Sequence, residues 1–540
     1  MPSPFLQACF LGLFFSLHFS PHSPSVFNTN GEVFMVQNNF PSFFKDTKEY
    51  LTIPIVKRYF VDTITPIQIF QNVKEEASFL LESKDEASPW SRYSFIGLHP
   101  FLFVEEEKGM FQIKDENKAI VQIADNFREA FRLCMERLKV KTPELSLPFW
   151  GGAVGVMGYD SISTFEKVSE HTTKDLNLKR FSFMICETMI AFDHDLKELT
   201  IIQLVRINGN ETRNELLCLY EDMHKRIDMV FDQIFNSKLI NEGLQAIEKI
   251  NDVDFSEVVS NYEKGDFLRD VLKIKEFIKA GDIFQAVLSQ RFEMPITVKG
   301  FDLYRVLRMV NPSPYLFYLK LDDYELIGSS PERLIQIEDG HLEIHPIAGT
   351  RRRGRSKSED DTLAKELLLD EKERAEHYML VDLARNDVGR VAEYGTVQTP
   401  VLMELGKFSH VMHLISKVTG QLNKDVHPID ALISAFPAGT VSGAPKIRAM
   451  QILQELEPTA RNIYAGTVAY LGFDGNIDSC IAIRTILVKD KKAYVQAGAG
   501  IVADSNPELE YKETINKASA MIKSIQLAEK MFHKGEKTYV

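Results

Sequence analysis

Two glutamates, one arginine and a stretch of nearly bare backbone carry most of the chemical content of this chain. Glu376 lies in segment 371–385, where Met379, Leu380 and Leu383 recur at helical spacing. Glu513 lies in a second helical segment, opened by Asn506-Pro507 and faced by Leu509, Ile515, Ala518, Met521 and Ile522. Carboxylates from two separate helices suit a hard dication such as Mg2+, which takes few protein oxygens and keeps positions for substrate and water. The competing reading is a pair of solvated helix carboxylates, the usual state of Glu. Arg484 sits in segment 480–487, which reads as a buried strand with apolar residues on both faces. A guanidinium there needs an anion, because burying an unpaired charge is strongly unfavourable. Its planar fork matches a carboxylate, and the competing partner is an internal acid. The run Gln496-Ala497-Gly498-Ala499-Gly500 follows. Alone it reads as a strand-end bulge. Beside the cation and the two acids it reads as part of a site for a small, multiply charged anion held partly through a metal.

Other motifs add to or compete with this picture. His345-Pro346-Ile347-Ala348-Gly349-Thr350 offers a Gly-Thr turn able to hold a carboxylate, and it runs into Arg351-Arg352-Arg353-Gly354-Arg355. Glu359-Asp360-Asp361 follows closely, so the basic cluster reads as a solvated loop rather than a nucleic-acid surface. The segment 436–446, with Thr440 and ending at Lys446, resembles a phosphate loop but fails the Walker pattern. The helix start behind it still favours a nearby anion. Gly328-Ser329-Ser330-Pro331-Glu332 lacks the second Gly of a hydrolase elbow, which leaves Glu332 as a candidate general acid. His410 and His413 fall in an expected strand and differ in facing.

The elements that must position these residues read as mixed helix and strand. Segments 53–60, 78–82, 93–97 and 101–105 have strand patterns, 120–140 a helical one, 184–192 with 198–205 a hairpin, and 214–235 a long amphipathic helix. The polar segment 238–254 is the expected linker between an N-terminal region, 35–240, and a C-terminal one, 255–535. The chain of 540 residues, with 44% hydrophobic and 26% charged residues, has the composition of a globular protein. Its net charge of -13 excludes bulk attraction to nucleic acid and requires positive charge to be concentrated locally at any anion site. The cysteines (Cys9, Cys134, Cys186, Cys218 and Cys480) form no CxxC pair, which argues against a disulfide framework and for a reducing compartment, the cytoplasm. No stretch has the length of a membrane-spanning helix. The apolar run 5–19 lacks the basic flank of a signal peptide, since no Lys or Arg precedes Lys45, so residues 1–34 are expected to lie outside the working enzyme.

From Met35 onward the chain resembles the chorismate-utilising enzymes, and among them the large subunits that form anthranilate. The resemblance is carried by Leu80-Leu81-Glu82-Ser83, Asn311-Pro312-Ser313-Pro314-Tyr315, segments 328–333, 346–350, 381–387 and 410–413, and Glu376-His377. It extends to 436–446, Tyr464, Arg484, and 496–500 with Glu513. It implies an α+β fold with two facing antiparallel β-sheets flanked by helices. It further implies Glu376 and Glu513 as Mg2+ ligands, and Tyr464, Arg484, Gly498, Ala499, Gly500, Gly349 and Thr350 as chorismate contacts. Glu332 resembles the acid that helps the ring hydroxyl leave, His413 the residue tied to pyruvate elimination, and Thr440 lines the same pocket. Sister enzymes carry a Lys at the position of Ala348 or of Gln285, which implies ammonia as the nucleophile here. The chain has no glutaminase nucleophile of its own, so a separate glutamine amidotransferase subunit is implied. Ser83, Pro314, Tyr315 and Leu316 resemble a tryptophan site, which implies feedback inhibition by L-tryptophan. The rival readings are an aminodeoxychorismate-forming enzyme and a catalytically dead tryptophan-binding regulator.

Overall fold

Two long strands, Tyr93–Glu107 and Phe181–Asp193, pair antiparallel along their length and organise everything else. The computed structural model describes residues 26–27, 33–36, 39–84, 92–236, 253–407 and 411–532. The far half of Phe181–Asp193 pairs with Glu198–Arg206, whereas its near half pairs with Gly152–Met157. Two sheets therefore diverge from one shared pair.

The first sheet runs outward from Tyr93–Glu107 through Ala77–Glu82, Tyr315–Lys320, Glu325–Ser330, Thr485–Lys489 and Lys492–Ile501 to Gln285–Pro295. The second runs from Gly152–Met157 through Thr467–Gly472, Ile477–Ile481, Arg333–Glu338 and His341–Ile344 to Val411–Gln421, which also pairs with Ile347–Arg352 and Gln398–Lys407. Each sheet thus joins a block of N-terminal strands to a block of C-terminal ones, at Ala77–Glu82 against Tyr315–Lys320 in the first and at Gly152–Met157 against Thr467–Gly472 in the second.

The two sheets face each other, and the alternation of side chains shows how. Phe317 and Leu319 of the first sheet pack with Val154, Val156, Val468 and Tyr470 of the second. Their neighbours Leu316 and Tyr318 point the other way, against Leu303, Leu307, Ile227 and Met521 from helices Gly300–Val310, Arg213–Asn236 and Pro507–Phe532. Ala153, Met157, Ala469 and Leu471 face Phe127, Val381 and Ile429 from helices Phe127–Leu138, Glu371–Gly389 and Pro428–Ala435. A strand covered on both faces must be apolar throughout, which is why these strands read as continuous apolar runs. The result is helices, sheet, sheet, helices: the expected pair of facing antiparallel sheets.

Local differences from the sequence reading have physical causes. Segment 480–487 is two strands, Ile477–Ile481 of the second sheet and Thr485–Lys489 of the first, and Arg484 stands at the crossover with φ +51°. Segment 120–140 is a short strand, Ile120–Ala124, and then helix Phe127–Leu138 capped by Asn126, whose side chain accepts from the Glu129 amide. Segments 93–97 and 101–105 are one strand that absorbs Pro100 in a bulge. Most of the expected linker, residues 237–252, and the N-terminal residues 1–25 and 28–32 lie outside the described residues, as does His410. Among the described residues no helix is long and apolar enough to cross a membrane.

Candidate active site

The wall of the site is strand Lys492–Ile501, paired with Gln285–Pro295 so that Gly498 opposes Ser289 and Gly500 opposes Val287. Ala499 points into a cluster with Leu288, Ala286 and residues of helices Lys264–Ala280 and Lys446–Leu456. Gly498 and Gly500 therefore face the opposite side. A Cβ at Gly498 would stand 2.8 Å from the Tyr464 hydroxyl, and one at Gly500 2.5 Å from Gln285 Nε2. Here Gly supplies space rather than unusual torsion. The Tyr464 phenol is pushed up to about 12, by burial above all, with Arg461, the Gly498 amide and Arg484 acting in the other direction.

Arg484 comes next along this wall. Burial pulls its pKa down, and the one charge partner that favours its cation is the Tyr464 phenol. Among the described residues it makes no ion pair and no side-chain hydrogen bond. The internal acid that would have made it a structural residue is not found there. A desolvated guanidinium left in this state demands an external anion.

The two glutamates are tied to the same strand, Glu376 through Gln285, which lies against Gly500, and Glu513 through Lys517. Glu376 lies on helix Glu371–Gly389, started by Asp370, whose side chain accepts from the amides of Lys372 and Glu373 at 3.0 and 3.1 Å. Glu513 lies two turns into helix Pro507–Phe532. Burial raises the Glu376 pKa most, repulsion from Glu373 and Glu513 adds to it, and the Gln285 amide donates to it and opposes the rise. The two carboxylates thus sit close enough to repel. Such a pair offers hard oxygens to a dication and would leave its remaining positions to other ligands. Among the described residues no group of three acidic, His or Cys side chains converges.

Lys517, one turn beyond Glu513, was not singled out in the sequence. Its Nζ lies 2.7 Å from Glu513 Oε1 and donates to the Gly498 carbonyl at 2.9 Å. The signal was available, as a Glu and a Lys four residues apart share one helix face.

Glu332 follows strand Glu325–Ser330, and its carboxyl is enclosed although the residue as a whole is only half-buried. Desolvation pushes its pKa up to about 7, against smaller opposing effects of Thr440 and Lys517. The Thr440 hydroxyl lies beside it, buried and without a hydrogen bond of ordinary geometry. His413 lies on strand Val411–Gln421, with Nδ1 2.8 Å from the Gly349 carbonyl and 3.2 Å from Thr350 Oγ1. The carbonyl can only accept, so the proton is on Nδ1 and Nε2 is the basic nitrogen. Gly349 has φ +68°, and a Cβ there would stand 3.2 Å from Glu373 Oε2, one turn before Glu376. His413, Gly349 and Thr350 thus adjoin the helix that carries Glu376.

Two sequence readings change. Lys446 binds both Asp387 oxygens at 3.0 Å, so the anion beside that helix start is internal. The basic run is not simply solvated: Arg351 pairs with Asp370 and Glu373, Arg352 with Glu359, and Arg353 with Asp360. Ser83 directly follows strand Ala77–Glu82 and Tyr315 opens the neighbouring strand of the first sheet, since Glu82 opposes Leu316 and Pro314 directly precedes the latter strand. Ser83 Oγ is buried without a partner, while the Tyr315 hydroxyl donates to Asp478 at 3.0 Å and accepts from Arg333 at 2.7 Å.

Similarity to known proteins extends along most of the chain. The family described as chorismate binding enzyme matches residues 76–523. Anthranilate synthase component 1 of Geobacillus stearothermophilus is 58% identical over 497 residues, which span 92% of this chain and 98% of that protein. That of Bacillus subtilis (strain 168) is 54% identical over 500 residues, 93% of this chain and 97% of that one. The crystal structure of anthranilate synthase component I from Streptococcus pneumoniae TIGR4 superposes with a TM-score of 0.68 at 36% identity, covering 86% of this chain and 98% of that chain. The chain belongs to the chorismate-binding enzyme family, in the branch of the anthranilate synthase component 1 proteins.

Proposed function

We propose that this protein converts chorismate and ammonia to anthranilate and pyruvate. The observation that carries the proposal is Arg484: a desolvated guanidinium with no internal anion among the described residues, at a glycine-lined wall to which two mutually repelling glutamates are also tied, through Gln285 and Lys517. Chorismate is a dicarboxylate, and each of its carboxylates finds one complement here. Arg484, Tyr464 and the backbone of Gly498, Ala499 and Gly500 hold the enolpyruvyl carboxylate, with Gly349 and Thr350 as further contacts. Glu376 and Glu513 would hold Mg2+, which when bound neutralises the ring carboxylate.

Glu332, with a pKa near 7, retains its proton in a substantial fraction of molecules at neutral pH and donates it to the departing ring hydroxyl. Hydroxide is a poor leaving group, and such an acid contributes about two to four orders of magnitude in rate. His413 Nε2 takes up the ring proton as pyruvate leaves. Thr440 lines the pocket beside Glu332. Gln285, neutral and hydrogen-bonded to Glu376, does not activate water, and Ala348 cannot act as a nucleophile, which disfavours the isochorismate- and aminodeoxychorismate-forming reactions.

Ammonia comes from glutamine through a separate glutamine amidotransferase subunit in the cytoplasm. L-tryptophan inhibits at Ser83, Pro314, Tyr315 and Leu316. The reading is tested by incubating the purified chain with chorismate, MgCl2 and ammonium at mildly alkaline pH, where neutral ammonia is plentiful. Anthranilate fluorescence with equimolar pyruvate is the expected outcome. Aminodeoxychorismate without pyruvate, or no turnover, overturns it.

A further inference from the structure

Behind the pocket lies a buried ion pair that touches three of its walls and, on this reading of the site, no substrate. Arg461 Nε and Nη2 both donate to Glu457 at 2.7 Å, and the two side chains are 2% and 5% exposed. Arg461 spends its other donors on backbone: Nη1 on the Val441 carbonyl at 2.8 Å and Nη2 on the Val287 carbonyl at 2.5 Å. Val441 follows Thr440, and Val287 is the residue opposite Gly500. The guanidinium also lies against the Tyr464 ring, 5.6 Å from its centroid. Glu457 completes the arrangement, its Oε1 accepting from the Ser289 amide at 2.8 Å and the Ser289 hydroxyl at 2.7 Å. Ser289 is the residue opposite Gly498.

We propose that Arg461 and Glu457 are a positioning pair that sets the Thr440 loop, the Gly498–Gly500 wall and the Tyr464 ring in register with one another. A buried ion pair is a poor source of net stability, since desolvation offsets most of the attraction. Here the arrangement of donors accounts for it better: one planar fork reaches a carboxylate and two carbonyls on separate elements, which a Lys cannot do. The proposal rests on the chorismate pocket being as read above, because the three walls matter only if one ligand touches all of them.

Two variants test it, each assayed as the full chain with chorismate, MgCl2 and ammonium. Arg461→Lys keeps a charge for Glu457 and loses the fork. Arg461→Met combined with Glu457→Leu removes both charges and fills the space with apolar atoms. Both should fold with a melting temperature near that of the wild type, while kcat/KM for chorismate falls roughly 10- to 100-fold, as expected for a small misplacement of reacting groups. The Mg2+-induced rise in melting temperature should survive, because Glu376 and Glu513 do not hang on this pair. Folded variants with kcat/KM within about twofold of wild type overturn the proposal. Loss of the fold in both variants also overturns it, since the pair would then serve stability alone. A wild-type protein that fails to turn over chorismate would instead sink the pocket reading.

Discussion

The Tyr464 hydroxyl stands 2.8 Å from where a Cβ at residue 498 would lie, with Val287 Cγ1 and the Leu288 carbonyl also within 3.1 Å. The space in front of the wall is kept open by the missing side chain. A single methyl group in Gly498→Ala must push Tyr464 away from Arg484 or displace the strand. The chorismate KM should rise by about tenfold or more with the fold retained, since a small shift of a positioning group costs that much. Steady-state kinetics beside a melting curve check it.

Glu332 has its pKa raised to about 7, and the sign of the consequence follows from linkage. A carboxyl whose folded pKa lies above its unfolded value loses stability as pH rises from the unfolded pKa through the folded one. Glu332→Gln should therefore match the wild type in stability near pH 4 and exceed it above pH 7, by ~3.5 kcal/mol at most, at about 1.4 kcal/mol per pKa unit. Activity should fall by about two orders of magnitude or more with loss of the acid. Denaturant melts at a series of pH values read the first effect, and rates of anthranilate formation the second.

Repulsion between Glu376 and Glu513 predicts the response to metal. MgCl2 at about 100 times its Kd should stabilise the wild type by ~2.7 kcal/mol through mass action. Glu513→Gln should abolish most of that gain. An undiminished Mg2+-induced shift in this variant would place the metal elsewhere.

Ser83 directly follows strand Ala77–Glu82, its hydroxyl buried and unpartnered, beside the strand that carries Tyr315 and Leu316. Ser83→Phe fills that space. Inhibition by tryptophan should weaken by about 5- to 150-fold, the range of a 1–3 kcal/mol coupling, while the uninhibited rate is unchanged. Inhibition curves with and without the substitution decide it, and unaltered inhibition would remove Ser83 from the tryptophan site.

Strands such as 53–60 and 184–192 were legible in the sequence because burial on both faces leaves an unbroken apolar run, and the helices of Glu376 and Glu513 because one face repeats at helical spacing. The crossover at Arg484 was not legible: Ile481, Ala482 and Ile483 are as apolar as a strand interior, and only the assembled sheets show that the chain changes sheet there. The strand at Ile120–Ala124 was absorbed into the helix after it because exposed Ile120 and Ile123 mimic a helical face, although Asn126 with Glu129 three residues on marked the true helix start. The helix start at Lys446 favours a nearby anion, but the acid found there is Asp387, bound by Lys446 itself from 59 residues away, and no local pattern pairs the two. Arg461 and Glu457 carry no motif at all; their part in the site is visible only through the carbonyls they reach.

The central claim is that Arg484, which has no internal anion among the described residues, is kept so in order to bind one carboxylate of the substrate. Calorimetric titration of chorismate into Arg484→Met, in the presence of MgCl2, tests it most directly. The account predicts a stable protein, since an uncompensated buried charge has been removed, with chorismate affinity lower by about 100-fold, the worth of a lost buried charge pair. Binding at wild-type affinity would contradict it.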